Sequence, residues 1–355
     1  MSNKQRVRIG FVGAGGMGQM AHLRNYTSPE LAEECEVVAL AEIKPALAQK
    51  VAARHGIPKV YASHKEMLAS EQLDGIVAAQ PFERHGILLP ELARAGAPLF
   101  CEKPVANSIA AAGRVVRALE RHHTWLMVGY HKRSDPATIY ARRVVEELKQ
   151  SGEIGKLRYV RITIPAGDWL AGGFNDLIRT DDQPASLDAA PAPADMDGPT
   201  ARDYNAFVNY HIHQVNLLRH LLGEDYTVSY ADPSRILLAA HTRSGVPGAI
   251  EMSPYAMDTD WHETALIAFD RGYIKLRLPA PLAYNRAGTV EIYKSPAGGA
   301  PGLTVPTLPW VHAMRNQALN FIKAIRGEAP APCLAREALE DLKIAREYIR
   351  LLRGK

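Results

Sequence analysis

Cysteine, net charge and long apolar runs are all scarce in this chain of 355 residues. Its three cysteines, Cys35, Cys101 and Cys333, lie far apart and form no Cys-x-x-Cys pair. This argues against a disulfide framework and a zinc site, and we predict no other metal site. The formal net charge of +4 gives no sign of a nucleic-acid-binding surface. No apolar run reaches the roughly 18 residues that a membrane-spanning helix needs.

The bulk composition is that of an ordinary globular protein, with 47% apolar and 23% charged residues. The first ten residues combine charge with a short strand-like run, instead of the apolar core and cleavage site of a signal peptide. We therefore expect a cytoplasmic protein. The length predicts two domains rather than one.

Strands and helices alternate over the first 130 residues, which predicts a mostly parallel sheet with helices on both faces. We expect residues 1–129 to form a Rossmann domain. The predicted strands are 7–12, 36–41, 74–79, 98–101 and 124–129, and the predicted helices are 17–26, 45–54, 84–96 and 107–122.

The pattern changes after Tyr130, where strand-like runs follow one another without regular intervening helices. This predicts that residues 130–355 form an α+β domain with a largely antiparallel sheet. Residues 180–202, rich in Asp, Ala and Pro, are predicted to be a long loop or flap. The other predicted elements are strands at 157–164, 235–241, 249–252, 264–269, 273–278 and 290–293, and helices at 137–151, 207–222, 310–326 and 335–353.

A glycine-rich segment, Gly-Ala-Gly-Gly-Met-Gly at 13–18, follows the first strand and opens the first helix. Gly13 permits a tight turn, Gly15 lets the backbone approach a pyrophosphate, and Gly18 lets the helix pack close to the strand. The helix N-terminus supplies N–H donors for phosphates, and Gly16 and Met17 complete this loop. The segment predicts a dinucleotide-binding site because it lies in a βαβ unit.

An acidic residue, Glu42, ends the second strand. A carboxylate at this position can accept hydrogen bonds from the adenosine ribose hydroxyls and repels a 2′-phosphate, which favours NAD over NADP. Lys44, two residues later, favours NADP instead, because a cation could help to hold a 2′-phosphate. We predict NAD as the cofactor, with NADP as the less favoured alternative.

A second motif, Glu102-Lys103-Pro104, lies at the end of the strand at 98–101. Ligands of open parallel sheets bind outside the carboxyl ends of the strands. Because the residue before a proline is held in an extended conformation, Lys103 could point into this crevice, where the nicotinamide is expected.

Together these motifs strongly resemble the Gfo/Idh/MocA family of nicotinamide-dependent sugar oxidoreductases. The resemblance runs nearly end to end, and its most specific motif is the Glu-Lys-Pro turn. It is carried by 13–18, 102–104, 129–133, 152–156, 213–218 and 222–223. The resemblance implies a Rossmann domain followed by a domain with an open sheet, whose face often contacts another copy in a homodimer or homotetramer. It also implies that a small sugar, polyol or glycoside binds between the nicotinamide and the open sheet. The C-terminal helices could pack back on the Rossmann domain.

The resemblance also implies a catalytic set. Family members typically join the lysine, here Lys103, to an Asp-x-x-x-His pair on a helix of the second domain. The histidine is His213, and Asn209 stands in place of the aspartate. Positions four apart share one face of a regular helix, so both side chains could reach one substrate. Asn209 cannot stabilise an imidazolium with a negative charge, so we expect a less basic His213 than in an Asp-containing relative.

Further candidates lie around these motifs. Tyr130 could act as an acid or base, and Arg133 could bind an anionic group of the substrate. Asp168 and Trp169, in a glycine-rich stretch, could bond hydroxyls and stack on a sugar ring. Each of these is about equally well explained as a core or surface residue. Two more candidates are His85, which matches a histidine that the family often has near the cofactor, and the polar-aromatic segment at 255–263, which could also line the pocket.

Three functions are compatible with these residues. In the first, an NAD-dependent dehydrogenase, Lys103 polarises a sugar hydroxyl and His213 takes its proton. The second is a redox-neutral glycosidase that oxidises the sugar transiently, eliminates the aglycone, adds water and restores the hydride. It needs a further base, for which Tyr130, His211 or Asp168 are candidates. The third is a cofactor-binding sensor without catalysis.

Overall fold

The structure is a computed structural model that describes residues 5–184 and 186–354. The chain forms two compact units, each built from three separate segments. Unit 1 comprises Met1–Tyr130, Gly172–Asp197 and Met314–Glu340, and unit 2 comprises His131–Ala171, Gly198–Ala313 and Asp341–Lys355. The sequence predicted one boundary, at 129/130. Unit 1 nevertheless includes the later segments Gly172–Asp197 and Met314–Glu340, which this prediction assigned to the second domain.

A six-stranded parallel sheet forms the centre of unit 1, with the order β3-β2-β1-β4-β5-β6. This is the strand order of a doubly wound Rossmann sheet, which confirms the predicted fold class. Apart from the edge strand at 59–61, its strands are short, mostly apolar and largely buried, as parallel sheets covered by helices require. The strands are β1 (Val7–Val12), β2 (Cys35–Ala41), β3 (Lys59–Tyr61), β4 (Gly75–Ala78), β5 (Leu99–Glu102) and β6 (Leu126–Gly129).

An eight-stranded sheet forms the centre of unit 2, with the order β14-β13-β12-β11-β7-β10-β9-β8. Only the pairing of β7 with β10 is parallel, so the predicted mostly antiparallel sheet is confirmed. The strands are β7 (Leu157–Ala166), β8 (Tyr226–Ala231), β9 (Leu237–Thr242), β10 (Pro247–Ala256), β11 (Glu263–Phe269), β12 (Gly272–Leu278), β13 (Thr289–Lys294) and β14 (Gly302–Thr304).

Ten helices surround the two sheets in the described part of the chain, besides short 3-10 turns. The first, α1, begins as a π-helical segment at Gly18–Leu23 and continues at Arg24–Tyr26. The others are α2 (Pro45–His55), α3 (His64–Ser70), α4 (His85–Ala93), α5 (Ile109–Arg121), α6 (Pro136–Ser151), α7 (Gly198–Tyr210), α8 (Ile212–Leu222), α9 (Ala313–Ile325) and α10 (Ala335–Leu352).

Alternating burial along the strands of unit 2 gives its sheet two different faces. In β11, Ala265 and Ile267 are buried, whereas Leu266 between them is half-buried. Helices α6 and α8 pack on the apolar face, over β12 and β13 and over β7 and β10 respectively. The opposite face carries Leu266 together with charged side chains such as Lys275 and Glu291. One face of the sheet is therefore the core of unit 2 and the other is partly exposed.

Two predictions about the helices were wrong. The helix predicted at 207–222 is two helices, α7 and α8, because His211 (φ −97°, ψ −2°) interrupts the regular backbone and caps α8. The loop predicted at 180–202 ends earlier, since α7 begins at Gly198 with Pro199 in its first turn, a position that favours helix initiation.

Several short elements were not predicted. These are β3, α3, β8 and β14. β3, α3 and β14 are short or polar and lack a clear apolar periodicity, whereas β8 does alternate, with Tyr226 and Val228 buried and Thr227 and Ser229 exposed. In β14 all three residues are exposed, so its sequence carries no alternation to detect.

None of the helices within residues 5–184 and 186–354 is both long enough and apolar enough to span a bilayer.

Candidate functional site

The glycine-rich loop connects β1 to α1 at the carboxyl edge of the parallel sheet. Gly13 has φ +102°, and a Cβ there would lie 2.6 Å from the Ala79 carbonyl oxygen. A Cβ on Gly18 would lie 2.8 Å from the Gly13 carbonyl oxygen. Gly15 is different, because a Cβ there meets no protein atom within 4 Å. The loop therefore has tight packing at both ends and an open middle, the shape that a pyrophosphate needs.

The carboxylate of Glu42 lies between this loop and the end of β2. One oxygen accepts a hydrogen bond from the Ala14 N–H at 2.7 Å, and the other accepts one from the Lys44 N–H at 3.1 Å. A carboxylate has about four acceptor sites, so capacity remains for ribose hydroxyls. The residues around the loop therefore fit a dinucleotide, with Gly16 and the half-buried Met17 completing its wall.

The Glu-Lys-Pro turn is fixed by a buried hydrogen bond between His22 and Glu102 that the sequence did not predict. His22 of α1 donates from Nε2 to Glu102 Oε1 at 2.7 Å, and the second Glu102 oxygen accepts the Lys103 N–H at 3.2 Å. Burial by itself raises the pKa of Glu102, but the hydrogen bond from His22 and the nearby Lys103 ammonium outweigh it and hold that pKa below its usual value. Glu102 is therefore an anion that joins α1 to the turn carrying Lys103.

The side chain of Lys103 is partly exposed just beyond the end of β5, and its peptide bond to Pro104 is cis. Tyr130 follows β6, the neighbouring strand, and is 2% exposed. Parallel strands end at a common edge, so Glu102, Lys103 and Tyr130 belong to the same edge as the glycine-rich loop.

His85, predicted at the cofactor site, is completely buried at the start of α4. Its Nδ1 lies 3.0 Å from the Pro104 carbonyl oxygen and its Nε2 lies 3.1 Å from that of Gln80. Burial lowers the pKa of His85, although the two carbonyls act against this. With no exposed surface, the ring supports the backbone of the Glu-Lys-Pro turn from behind.

In unit 2, the ring of His213 packs edge-on against the ring of His131, with centroids 4.5 Å apart. Asn209 is exposed near the end of α7, whereas His213 lies in α8, so the two are not on one regular helix as expected. His211, at the junction, contacts the rings of Phe207 and Tyr210. Burial lowers the pKa of His211 to about 4, so it is a weak base at neutral pH.

A buried cluster of charges adjoins His131. Glu263, completely buried at the start of β11, forms an ion pair with Lys132 and accepts a hydrogen bond from Gln214 Nε2 at 2.7 Å. The Trp261 indole N–H donates to the same carboxylate at 3.3 Å. Part of the polar-aromatic segment at 255–263 therefore belongs to the interior of unit 2.

Arg133, predicted to bind substrate, is 6% exposed and donates from Nε to Asn216 Oδ1 at 2.7 Å. Asn216 in turn donates to Asp341, which also pairs with Arg219. Arg133 is therefore held in a buried network, an arrangement typical of a structural residue.

Asp168 and Trp169 lie just beyond β7. The Asp168 carboxylate accepts hydrogen bonds from the backbone N–H groups of Leu170 at 2.9 Å and Ala171 at 3.2 Å, so it caps a local turn. Trp169 is half-buried, and its carbonyl accepts from the Leu282 N–H. The substrate-binding roles of both residues stay predictions.

Within residues 5–184 and 186–354, no group of three or more His, Cys, Asp or Glu side chains is arranged to hold a metal ion. All three cysteines are buried free thiols.

Two features of the site were missed in the sequence. The pair of His22 with Glu102 joins residues 80 positions apart, and only the place of His22 in the helix after the glycine loop hinted at it. The segment Gly172–Asp197, which we call the strap, belongs to unit 1, although it was predicted as part of the second domain. The ring of Phe174 in the strap lies 3.4 Å from the Cβ position of Gly16.

Comparisons with known proteins agree with this geometry. Residues 7–130 match the oxidoreductase family with an NAD-binding Rossmann fold. The chain is 27% identical over 350 residues to the rhizopine catabolism protein MocA of Rhizobium meliloti, covering 98% of this chain and 95% of that protein. It is 27% identical over 219 residues to the inositol 2-dehydrogenase of Rhizobium meliloti strain 1021, covering 62% of this chain and 56% of that enzyme.

Among solved structures, the levoglucosan dehydrogenase complex with NADH and levoglucosan superimposes with a TM-score of 0.73 at 18% identity, covering 99% of this chain and 98% of that one. This similarity extends the shared fold across both units. The strand order, the glycine-rich loop and these matches agree with one another. The chain is therefore similar to the oxidoreductases of the Gfo/Idh/MocA family, and its residues 7–130 match an NAD-binding Rossmann fold.

Proposed function

We propose that the protein is an NAD-dependent dehydrogenase of a small sugar, sugar derivative or polyol. The observation that carries this proposal is Lys103, whose backbone is held by the buried Glu102 at the edge of the NAD-binding sheet. The names of two relatives, a rhizopine catabolism protein and an inositol 2-dehydrogenase, support a polyhydroxylated substrate.

In the proposed reaction, the Lys103 ammonium polarises the hydroxyl that is oxidised and His213 takes its proton. NAD, when bound, supplies the acceptor for the hydride. Histidine suits this task because it titrates near neutral pH. Asn209 can hydrogen-bond a hydroxyl but adds no negative charge, so the proton acceptor works without the carboxylate that relatives place there. We assign Tyr130 a place beside Lys103 as a further candidate acid or base.

A single assay tests the reaction type. The protein is incubated with NAD and a panel of sugars, inositols and aryl glycosides, and we expect NADH to accumulate in a fixed ratio to oxidised product. Release of aglycone that requires NAD but yields no net NADH would instead support the redox-neutral glycosidase. Tight NAD binding with neither product would support a cofactor-binding sensor.

The role of Lys103 is tested by Lys103→Met on the substrate that the panel identifies. Loss of a positioned acid–base group typically costs about 10²–10⁴-fold in rate, so we expect kcat to fall by this order. The matched control is Lys65→Met, because the Lys65 side chain in α3 is 75% exposed. A Lys103→Met enzyme with the kcat of this control would contradict the assignment.

A further inference from the structure

The N-terminus of α2 carries a carboxylate from a distant part of the chain. The Asp182 side chain accepts hydrogen bonds from the backbone N–H groups of Ala46 at 3.2 Å and Leu47 at 3.0 Å. Asp182 belongs to the strap, more than a hundred residues later in the sequence. The first N–H groups of a helix have no partner within the helix, and together with the helix dipole they attract an anion. Asp182 supplies that anion from within the chain.

The strap is anchored to unit 1 on both sides of this contact. Before it, the Gln19 side chain exchanges hydrogen bonds with the backbone N–H and carbonyl of Ile178, at 3.0 and 3.1 Å. After it, Asn107 Nδ2 donates to the Ala190 carbonyl at 2.9 Å. Thr180 donates to Asp182 at 2.6 Å. Asp182 is therefore held in place by its surroundings, not merely by its own two bonds.

The charge of Asp182 is secured by the same contacts. The hydrogen bond from Thr180 is the main cause that lowers the pKa of Asp182, the bonds from Ala46 and Leu47 and the nearby Lys44 ammonium lower it further, and desolvation acts against them. Asp182 is consequently ionised at neutral pH. Its negative charge lies near the Lys44 ammonium, the cation that could help to hold the 2′-phosphate of NADP.

The position of this carboxylate matters for the choice of cofactor. In a Rossmann fold the residue at the end of β2, here Glu42, is the one that meets the adenosine ribose, and a 2′-phosphate of NADP extends from the same ribose. Glu42 accepts a hydrogen bond from the Lys44 N–H, immediately before α2. The N–H groups of Ala46 and Leu47 and the Lys44 ammonium are among the groups nearby that would neutralise a phosphate, and the Arg84 guanidinium also interacts electrostatically with Glu42.

We propose that Asp182 is a specificity-determining residue that excludes NADP by occupying the N-terminus of α2 and opposing the charge of Lys44. A 2′-phosphate, with about −1.5 to −2 charges at neutral pH, would have to displace this carboxylate or lie beside it. The proposal rests on the proposed function, since it assumes that NAD is the working cofactor.

Nucleotide binding tests the proposal without any substrate. Dissociation constants of NAD and NADP are measured by calorimetry for the wild type, Asp182→Asn and Asp181→Asn. Asparagine keeps one acceptor oxygen for the helix cap but removes the charge. We expect Asp182→Asn to bind NADP at least about tenfold more tightly, while its affinity for NAD changes by less than about threefold. The neighbouring Asp181 is exposed, so Asp181→Asn loses the same charge without contact to α2.

A second variant isolates the role of the cation. The double variant carries both Lys44→Ala and Asp182→Asn. Its gain in NADP affinity should largely disappear, because the 2′-phosphate then loses the positive charge of the Lys44 ammonium. Melting temperatures show whether each variant is folded. Asp182 does not determine specificity if the folded Asp182→Asn variant has the same ratio of NADP to NAD dissociation constants as the wild type. The same conclusion follows if this ratio is no smaller in Asp182→Asn than in Asp181→Asn. If the wild type binds neither nucleotide, the proposed function itself fails, which is a different result.

Discussion

At the scale of single residues, the bond between His22 and Glu102 is the contact most directly tied to Lys103. Glu102 is buried, and the carboxylate oxygen that does not meet His22 accepts the Lys103 N–H. His22 lies in α1, which begins at the glycine-rich loop. One hydrogen bond therefore links the expected phosphate site to the turn that carries the proposed catalytic lysine. His22 is in this sense a positioning residue that acts through Glu102.

Replacing His22 with leucine should weaken both stability and turnover. A buried carboxylate that loses its partner costs about 1–3 kcal/mol. Because the folded-state pKa of Glu102 lies below its usual value of 4.5, the stability from this group is present above that pH and is lost as the pH falls through the folded-state pKa. Urea unfolding at several pH values should therefore show a deficit of His22→Leu that is largest above about pH 4.5 and shrinks below it.

The control for His22→Leu is His64→Leu. His64 and Glu91 form a similar pair at 2.8 Å in unit 1, but this pair is only partly buried. We expect His64→Leu to change stability by no more than about 1 kcal/mol and to leave kcat unchanged. If His22→Leu lowers kcat no more than this control does, the bond is structural and does not position Lys103.

The individual site residues could be predicted only where they belong to a short local sequence motif. Gly13, Glu42 and Lys103 stand in short patterns whose chemistry follows from spacing. His22, Asp182 and Glu263 do not, because each acts through a partner far away in the sequence. Arg133 shows the opposite failure: its place in a motif suggested substrate binding, but its guanidinium bonds to Asn216 in the interior.

At the scale of elements, the glycine-rich loop contains one glycine that packing requires and another that leaves space for a ligand. Gly18 is tightly packed, since a Cβ there would lie 2.8 Å from a backbone oxygen. Gly15 is open, since a Cβ there would meet no protein atom within 4 Å. Two glycines of one motif, three positions apart, thus serve different purposes, and alanine substitutions can tell them apart.

We expect Gly15→Ala to fold as well as the wild type but to bind NAD at least about tenfold more weakly, because its methyl group enters the space expected for the pyrophosphate. Gly18→Ala should lose about 1–3 kcal/mol of stability as well, since the loop or α1 must shift. Calorimetric NAD affinity and chemical denaturation measure the two effects. Equal NAD affinity in Gly15→Ala and the wild type would mean that the dinucleotide does not lie against this loop.

The elements that carry strong periodicity were predictable, and the others were not. The strands β1 and β2 are mostly apolar and buried, interrupted only by Arg8 and Glu36, and α5 has a clear apolar face. In contrast, β14 is exposed along its whole length, and its register is set by pairing with β13. The break at His211 lies between two helical patterns in the same phase, so no local signal marks it.

At the scale of the whole molecule, the chain does not divide at a single point. After α6 and β7 in unit 2, the strap belongs to unit 1, and most of α9 does too. The reason is packing: Phe321 of α9 lies against Phe100 and Trp125 of unit 1, with ring centroids 5.8 and 5.7 Å apart. Such contacts depend on which apolar faces meet, which single-sequence patterns do not specify.

The partly exposed face of the sheet in unit 2 is where we expect a second copy of the chain to bind. Leu266 lies at its middle, paired in register with Arg161 of β7 and Lys275 of β12. Val305, which is 64% exposed, lines the same hollow as Leu266. The face therefore combines partly exposed apolar side chains with charged ones, a mixture that protein–protein interfaces contain.

Light scattering after size exclusion should therefore give the mass of a homodimer or homotetramer for the wild type and a lower mass for Leu266→Asp. In the interface the new carboxylate would lose its water, and the neighbouring Arg161 and Lys275 are already paired with Glu251 and Glu291, so its burial costs several kcal/mol, which is enough to dissociate the copies. In the monomer the same side chain remains solvated, so Leu266→Asp should stay folded. Ile139→Asp is the matched control, because Ile139 is 45% exposed on α6, in the helix layer of unit 2. If Leu266→Asp and Ile139→Asp have the same mass as the wild type, this face does not join copies of the chain.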